Sequence, residues 1–271
     1  MKAAAYELER VSSVNEALSA LARDEFYKAI AGGQSLGAML NLRLAQPERL
    51  IDLDGIAELR AATVQGDELV LGSMTTHAAI EDGRVPDVTH GMLAHVAHGI
   101  AYRAVRNRGT IGGSLCHADP AADWISAMAV MGATCEVVGP QGARMVPAGQ
   151  FVRSAFEPDL NPGEVLARIR VPRFSAKARW SYRKHCRKTG EFALAIVTGV
   201  VDPDRGIERL VLGALDGPVK IHSGTGLYAR LADPAARAAL LDAPESGLSY
   251  ERRAWHGDLL ASVVADLGAK Q

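Results

Sequence analysis

Two glycine-rich runs constrain the fold of this chain more than any other feature. Ala31 to Ser35 follows a short apolar segment that ends at Ile30, and Thr110 to Ser114 repeats its small, glycine-paired character. Paired glycines allow a positive φ and let backbone N–H groups approach an anion with no Cβ in the way. Ser35 and Ser114 add a hydroxyl group to each run. Because helical patterns follow both runs, the sequence predicts two halves of one phosphate-binding cradle.

Both runs differ from the common nucleotide-binding motifs. Neither ends in the Gly-Lys-Ser/Thr of a Walker loop, and neither has the Gly-x-Gly-x-x-Gly spacing of a Rossmann turn. Gly-Gly pairs are also frequent in tight turns that bind nothing, so each run taken alone is open to that second interpretation. Gly224 to Ala229 matches a relaxed dinucleotide fingerprint, but no clean βαβ unit surrounds it. We interpret that segment as a loop that enters a helix.

The composition favours a soluble globular protein. The chain has 271 residues, of which 48% are hydrophobic, and a formal net charge of -1. A nucleic-acid-binding module would be clearly basic, so we expect no nucleic-acid partner. The first ten residues lack the apolar core of a signal peptide, and no apolar run is long enough to span a membrane, which predicts a cytoplasmic protein. Cys116, Cys135 and Cys186 form no Cys-x-x-Cys pair, so any iron–sulfur cluster would belong to another polypeptide.

Hydrophobic periodicity and turn signals predict an α+β protein in which strands alternate with short helices. The first helix begins after Ser13, whose spacing to Glu16 is that of a capping box, and extends to near Asp24. Further helices are predicted at 36–44, around Ala78, at 91–98 and through most of the chain after residue 215. Strands are predicted at 27–30, 50–53, 59–64, 69–71, 134–138, 143–146, 164–171, 180–184, 193–201 and 207–215. Turn signals at 65–68 and 139–142 predict hairpins between 59–64 and 69–71 and between 134–138 and 143–146, and 193–201 is predicted to pair with 207–215.

Acidic residues follow the second glycine run. Asp119 is predicted to cap a helix that has Pro120 at its first position. Asp123 then falls in the first turn of that helix, where a carboxylate also stabilises the helix dipole by a few tenths to about 1 kcal/mol. Asp123 is therefore a candidate ligand-binding residue, a helix-stabilising residue, or both.

With these motifs in place, the chain resembles the FAD-binding medium subunit of the molybdenum hydroxylases, the family of carbon monoxide dehydrogenase and xanthine dehydrogenase. The resemblance covers nearly the whole chain and is carried by AGGQSL at 31–36, RNRGTIGGS at 106–114, HADPAAD at 117–123 and YRKHCRKTGEFA at 182–193. It implies a two-lobed FAD-binding domain of the vanillyl-alcohol-oxidase and cell-wall-reductase type, followed by a C-terminal domain of antiparallel sheet and helices. The implied boundaries are 1–56 and 57–175 for the two lobes and 176–271 for the C-terminal domain.

The resemblance also implies which residues hold FAD, without a covalent bond. Both glycine runs would bind the pyrophosphate, Asp123 would accept a hydrogen bond from a sugar or ribityl hydroxyl, and Ile100 would pack on the adenine. Leu166 would lie near the nucleotide, and Lys184 would stabilise negative charge on the reduced flavin ring. The full candidate set is Ile30, Ala31, Gly32, Gly33, Gln34, Ser35, Leu36, Ile100, Thr110, Ile111, Gly112, Gly113, Ser114, His117, Asp123, Leu166 and Lys184.

Several of these residues have simpler interpretations. Lys184 lies among other basic residues, a pattern that is also typical of a solvated face. His117 either reaches the cofactor or bonds the local backbone. His95 and His98 have helical spacing but no second pair of ligands, so we expect surface or capping histidines rather than a metal site. The family pattern has aspartate where Glu191 stands, which leaves an ion pair at that position open.

The function implied by the resemblance is electron transfer. Electrons from a substrate oxidised at a molybdopterin on a large partner subunit would pass through [2Fe-2S] clusters on a small partner to FAD on this chain, and then to an external acceptor. The assembly would be a dimer of heterotrimers, and no catalytic base or nucleophile is expected on this chain. Two alternatives stay open: a self-sufficient flavin oxidoreductase acting on a small substrate, and a binding module that has lost FAD.

Overall fold

The computed structural model describes residues 2–246 and 248–268. The first residue of the predicted first lobe and the last three of the predicted C-terminal domain lie outside the described residues. The strands are β1 (Glu7–Arg10), β2 (Tyr27–Ile30), β3 (Arg49–Asp52), β4 (Ala62–Gln65), β5 (Glu68–Gly72), β6 (Thr134–Gly139), β7 (Gly142–Pro147), β8 (Val152–Ser154), β9 (Glu157–Pro158), β10 (Val165–Pro172), β11 (Arg179–His185), β12 (Ala195–Asp202), β13 (Ile207–Gly213) and β14 (Lys220–Ser223).

Ten α-helices join these strands in the part of the chain that the structure describes. They are α1 (Val14–Leu21), α2 (Leu36–Asn41), α3 (His77–Glu81), α4 (Met92–His98), α5 (Arg103–Arg106), α6 (Ile111–His117), α7 (Asp123–Met131), α8 (Leu227–Leu231), α9 (Pro234–Asp242) and α10 (Tyr250–Gly268). Of the helices in these described ranges, none is both long and apolar enough to cross a membrane.

The first sheet has three parallel strands in the order β1-β3-β2, and it carries the first glycine run at its end. Helix α1 packs on β2 and β3 through its buried small face. Ser13 caps α1 as predicted, because its side chain accepts from the N–H of Glu16. The Glu16 carboxylate bonds back to the N–H of Ser12 at 2.8 Å. The helix ends at Leu21, three residues before the predicted end near Asp24.

The second sheet is antiparallel, with strand order β4-β5-β10-β6-β7. The predicted hairpins β4–β5 and β6–β7 are confirmed by their register. The second sheet contains the long strand β10, and a register shift between Leu166 and Arg168 marks a bulge in it. A separate pair of very short strands, β8 and β9, follows β7.

The third sheet is antiparallel in the order β11-β12-β13-β14, and α10 packs against β11 and β12. The predicted pairing of 193–201 with 207–215 is confirmed as β12–β13. Gly224 to Ala229 forms a loop that enters α8, as we interpreted it. However, β14 lies in the region that we predicted to be helical. This strand, α5 and the β8–β9 pair are two to four residues long, too short for a periodic signal.

Helix α7 lies between the second and third sheets, and all nine of its residues are buried. Its neighbours in the main hydrophobic cluster come from both sheets, among them Leu71, Ile169, Ile196 and Val211. A smaller cluster lies between the third sheet and α8 to α10, and another lies under α1. The second and third sheets therefore share one core, with the first residue of α7, Asp123, at the point where they meet.

The prediction for the start of this helix was wrong. Asp119 is not its cap: the Asp119 carboxylate accepts from the N–H of Ala121 at 2.9 Å and closes a local turn. The helix begins later, with Ala122 at the cap position and no side-chain capping bond. Asp123 is in the first turn, as expected, and occupies its first position.

Candidate functional site

The structure brings the two glycine runs into contact. A Cβ built on Gly32 would lie 1.8 Å from the carbonyl oxygen of Arg108, just before the second run. A Cβ built on Gly113 would lie 3.6 Å from the Cβ of Ala31 in the first run. Only a residue without a side chain allows the approach at Gly32, since real Cβ atoms are never that close to backbone. The prediction that the runs form one surface thus has direct geometric support.

The first run presents unused hydrogen-bond donors. It leaves β2 at Ile30, turns through Gly33 with φ of 70°, and enters α2 at Leu36. Within the described residues, the N–H groups of Gly32 to Ser35 donate to no protein acceptor. The Ser35 side chain makes no capping bond either, and the Gln34 side chain bonds the Gly32 carbonyl at 3.2 Å. Four free N–H groups beside a hydroxyl group are the donors that an anion-binding backbone segment requires.

The second run is itself part of a helix, whereas the sequence predicted that a helix would follow it. Thr110 caps α6 by accepting from the N–H of Gly113 at 3.0 Å, so Gly112 and Gly113 lie in the first turn. The remaining N–H groups of Ile111 to Ser114 donate to the carbonyls of Thr75, Ser73 and Thr110. Gly112 is needed because a Cβ there would lie 2.4 Å from that of Ser73. Of the two side-chain hydroxyls in this run, that of Ser114 bonds to no residue in the part of the chain that the structure describes.

Asp123 is held by two residues of the third sheet. Its Oδ1 accepts from the Tyr182 hydroxyl at 2.8 Å and from Lys184 Nζ at 3.1 Å, and its Oδ2 accepts from Lys184 Nζ at 2.9 Å. The side chains of Lys184 and Asp123 are only 11% and 6% exposed. Burial raises the pKa of the Asp123 carboxyl, while Lys184 and Tyr182 act against that rise. Lys184 is therefore not on a solvated face; its third contact is the Gly99 carbonyl at 3.3 Å.

Three of the apolar candidates pack close to residues already described. Ile30 packs beside Gly33, since a Cβ built on that glycine would lie 3.5 Å from the Ile30 Cδ1. Ile100 follows Gly99, which Lys184 contacts, and is partly buried against the main hydrophobic cluster. Leu166 is buried in β10, which packs against α6.

His117 is the last residue of α6, with its ring 5.3 Å from that of Phe156. Burial lowers the pKa of its imidazole, which favours the neutral form. Its position, one helical turn beyond Ser114, places it beside the second run, but no hydrogen bond to the loop backbone fixes it within the described residues.

The histidine pair on α4 has other partners. His98 bonds Glu81 at 2.9 Å, and the His95 ring lies 5.1 Å from that of Trp180. The described ranges contain no group of three metal-ligating side chains that could hold an ion. Glu191 pairs with Arg187 at 3.3 Å on the surface, so the departure from the family pattern leads only to an exposed ion pair.

Sequence reasoning missed three residues that build the site. Tyr182 bonds Asp123, as described above. The buried Arg106 makes a paired contact with Glu81 at 2.7 and 2.9 Å and donates to the carbonyls of Ile100 and Ala101, both at 2.9 Å. Neutral His77 accepts from the Trp124 indole at 3.1 Å and packs against Gly109.

One of the three was within reach of the sequence. In a strand, residues two apart share a face, so the predicted strand that contains Lys184 also places Tyr182 beside it. Arg106 belongs to the RNRGTIGGS run, but its partner Glu81 is 25 residues away. No local pattern connects such residues.

The site as a whole fits a ligand that combines a diphosphate with hydroxyl groups. The free N–H groups of Gly32 to Ser35 and the hydroxyls of Ser35 and Ser114 suit phosphate oxygens. The carboxylate of Asp123 retains an acceptor position for a hydroxyl group, and apolar side chains lie nearby. These are the features that a flavin dinucleotide requires of its binding site.

Comparison with known proteins agrees with this geometry. The profile of the family described as "FAD binding domain in molybdopterin dehydrogenase" matches residues 4–174. The carbon monoxide dehydrogenase medium chain of Hydrogenophaga pseudoflava is 39% identical over 191 residues, which cover 70% of this chain and 67% of that protein. The caffeine dehydrogenase subunit beta of Pseudomonas sp. (strain CBB1) is 31% identical over 229 residues, 82% of this chain and 78% of that protein.

A solved structure extends the similarity to the whole chain. Carbon monoxide dehydrogenase from Hydrogenophaga pseudoflava, in a form that lacks the Mo-pyranopterin moiety of the molybdenum cofactor, has a chain with a TM-score of 0.88 and 32% identity. The match covers 99% of both chains. The α+β fold predicted from the sequence is thereby confirmed.

Proposed function

This chain belongs to the family of FAD-binding domains in molybdopterin dehydrogenases, and on that premise we propose how it takes part in electron transfer. The family resemblance drawn from the motifs is confirmed, and the chain is the medium, FAD-binding subunit of a molybdenum hydroxylase, an oxidoreductase complex. We propose that electrons reach this subunit from [2Fe-2S] clusters on a small partner and leave it for an external acceptor. Substrate oxidation would take place at the molybdopterin of a large partner.

The assembly and its location are part of the same proposal. The relatives are named medium chain and subunit beta, which supports a complex of several different subunits. We propose a dimer of heterotrimers in the cytoplasm. The boundaries at residues 56 and 175 also remain our proposal; the second coincides within one residue with the end of the family match at 174.

The residues that would hold FAD divide into three groups. The N–H groups of Gly32 to Ser35 and the Ser114 hydroxyl would bind the pyrophosphate, and the free donors of the first run are the observation that carries this assignment. Asp123 would accept from a ribityl or sugar hydroxyl. Ile100 and Leu166 would provide apolar contact with the nucleotide. Thr110 acts indirectly, because its side chain caps the helix that presents Ser114.

Bound FAD would supply two-electron redox chemistry between one-electron iron–sulfur donors and the acceptor. The protein contributes binding, orientation and electrostatics. The Lys184 ammonium is a buried positive charge beside the site and would favour negative charge nearby, although its ion pair with Asp123 reduces that field.

The deciding experiment is the visible spectrum of the purified chain, followed by identification of the cofactor released on denaturation. We expect flavin absorption bands and released FAD, or recovery of both after the apoprotein is incubated with FAD. Substrate oxidation should then require the partner subunits. Activity of the isolated chain would favour a self-sufficient flavin oxidoreductase, and a colourless chain that takes up no FAD would favour a binding module.

A further inference from the structure

Tyr182 is a buried tyrosine whose hydroxyl group has one partner among the described residues, the candidate cofactor ligand Asp123. Strand β11 alternates its side chains between two faces. Trp180, Tyr182 and Lys184 face the second lobe, while Ser181 and Arg183 face α10. The Tyr182 side chain is therefore delivered to Asp123 by the same strand face that delivers Lys184.

The hydrogen bonds around Asp123 leave one position open. A carboxylate oxygen offers two lone pairs. Oδ1 accepts from both Tyr182 and Lys184, so its two positions are filled. The N–H of Asp123 itself also lies within reach of the carboxylate, but Lys184 is the one other described residue that donates to Oδ2, so Oδ2 is the oxygen with room for a further donor. All three donors of the Lys184 ammonium are also spent, two on Asp123 and one on the Gly99 carbonyl.

From this distribution we propose that Tyr182 is a positioning residue of the FAD site, which holds Oδ1 of Asp123 so that Oδ2 presents its free lone pair to a hydroxyl group of the cofactor. The inference rests on the proposed FAD-binding function. It assigns the direct contact to Asp123 and leaves Lys184 and Tyr182 to orient and charge-balance that carboxylate.

Packing alone does not account for a tyrosine at this position. The side chain is 8% exposed within the main hydrophobic cluster, where phenylalanine would supply the same apolar contacts. A buried hydroxyl group needs a partner, and Asp123 is the one that it has. Without the hydroxyl, Lys184 would be the sole donor to both carboxylate oxygens, and the carboxylate could rotate about χ2.

The charged and titratable groups around the pair determine the effect of pH. Asp123 faces Lys184 and Tyr182 from β11; Tyr182 is in turn near Cys186, and its ring lies 6.2 Å from that of His95 on α4. An ionised Asp123 is the better acceptor, so FAD affinity should fall as pH drops through its pKa. Removing the Tyr182 hydroxyl removes a bond to the ionised form and raises that pKa further.

The test is FAD titration of the full-length apoprotein, followed by flavin fluorescence quenching, for the wild type and Tyr182→Phe from pH 4.5 to 8. We expect the dissociation constant of the variant to rise about tenfold near neutral pH, which is the size of a lost hydrogen bond to a charged group. We also expect the acid limb of its pH profile, which is the pH range in which FAD affinity falls, to move up by roughly one pH unit.

The matched control is Tyr228→Phe. Tyr228 is also a buried tyrosine, 3% exposed, and donates to the Arg209 carbonyl at 2.9 Å in the separate cluster under α8 and α10. This variant should lose stability but keep the wild-type FAD affinity and pH profile. In an Asp123→Asn background, Tyr182→Phe should no longer move the acid limb.

Each outcome separates the claims. A Tyr182→Phe protein that folds and binds FAD with the wild-type constant and pH profile overturns the role of Tyr182 and leaves the FAD-binding function intact. If that variant does not fold, the FAD affinities of the wild type and Asp123→Asn are compared instead. The proposal is overturned if lowering the pH weakens FAD binding to the wild type no more than it weakens FAD binding to Asp123→Asn. A wild type that takes up no FAD at any pH overturns the proposed function together with this inference.

Discussion

At the scale of single residues, the site depends most on a glycine that permits backbone contact. Replacing Gly32 with alanine would place a Cβ 1.8 Å from the Arg108 carbonyl oxygen, so the two runs would have to separate. We expect Gly32→Ala to abolish FAD retention and to destabilise the protein by about 2 kcal/mol or more. Gly37→Ala is the matched control, because nothing lies within 4 Å of a Cβ there and alanine favours helix α2. Flavin content per chain and urea unfolding measure both effects; normal flavin content in Gly32→Ala would contradict the packing argument.

His77 gives the second residue-scale prediction, a loss of stability in acid. Burial lowers the pKa of its imidazole from 6.5 to about 4. The unfolded chain therefore takes up a proton near pH 6.5 that the folded chain refuses, and stability declines as pH falls from that value toward 4. The expected contribution is about 2 kcal/mol between pH 7 and pH 5.

The measurement is urea unfolding at pH 7 and pH 5 for the wild type and His77→Gln. Glutamine can still accept from Trp124 but does not titrate, so the variant should lose less stability between the two pH values. His95 and His256, whose pKa values burial also lowers, remain in both proteins and cancel in the comparison. Equal pH dependence in the two proteins would show that His77 is not the buried neutral histidine described above.

The roles of single residues could be predicted from the sequence where their partners are close in the chain, and could not where the partners are distant. Ser13, the glycine pairs and Asp123 all lie in recognisable short motifs, and the structure places them in caps, close contacts and a helix start. The prediction that Asp119 caps a helix was wrong because its motif is compatible with either a helix cap or a local turn. The structure has the turn, in which the Asp119 carboxylate accepts from the N–H of Ala121. The Tyr182 hydroxyl reaches across 59 residues to Asp123, a separation that no periodic pattern encodes.

At the scale of elements, the two faces of β11 contact different parts of the molecule. Its odd-numbered side chains attach α10: Asp266 on that helix accepts from the Ser181 hydroxyl and from Arg183, both at 2.6 Å. Its even-numbered side chains reach the Asp123 site. The alternation itself was predictable from residues 180–184, but which helix covers the outer face was not, because α10 lies some 70 residues further along the chain.

We expect Asp266→Asn to loosen α10 without affecting the cofactor. The variant loses the charge that attracts Arg183, whose side chain is 48% exposed, and weakens the bond from Ser181, so the loss of stability should be about 1 kcal/mol. Thermal unfolding and FAD titration of the same preparation separate the two properties. A change in FAD affinity comparable with that of Tyr182→Phe would mean that the two faces of β11 are not independent.

At the scale of the whole molecule, the candidate site lies where the second and third sheets meet. The main hydrophobic cluster contains residues of β5 and β10 together with residues of β12 and β13. Asp123 belongs to the helix between these sheets, and Lys184 belongs to the third sheet. The sequence predicts strands of both sheets but not this shared core, because the packing of one sheet against another leaves no signature in either segment.

The Lys184–Asp123 ion pair connects the third sheet to the helix between the two sheets, and its contribution to stability can be measured. The side chains are 11% and 6% exposed, so removal of one partner leaves an uncompensated buried charge. We expect Lys184→Met to destabilise the folded chain by about 3 kcal/mol. Asp123→Asn should have a similar cost, since it leaves a buried ammonium with the Gly99 carbonyl as its remaining acceptor.

The double variant, Asp123→Asn with Lys184→Met, distinguishes an ion pair from two independent side chains. Because it buries no unpaired charge, it should be more stable than the sum of the single losses predicts, with a coupling of about 1 to 3 kcal/mol. Urea unfolding of the four proteins at pH 7 provides the cycle, followed by tryptophan fluorescence and circular dichroism. Trp124 lies in α7 and Trp180 in β11, so a junction that unfolds as one body should give coincident transitions by both probes. Strictly additive losses would show that Lys184 and Asp123 contribute to stability independently and not as an ion pair.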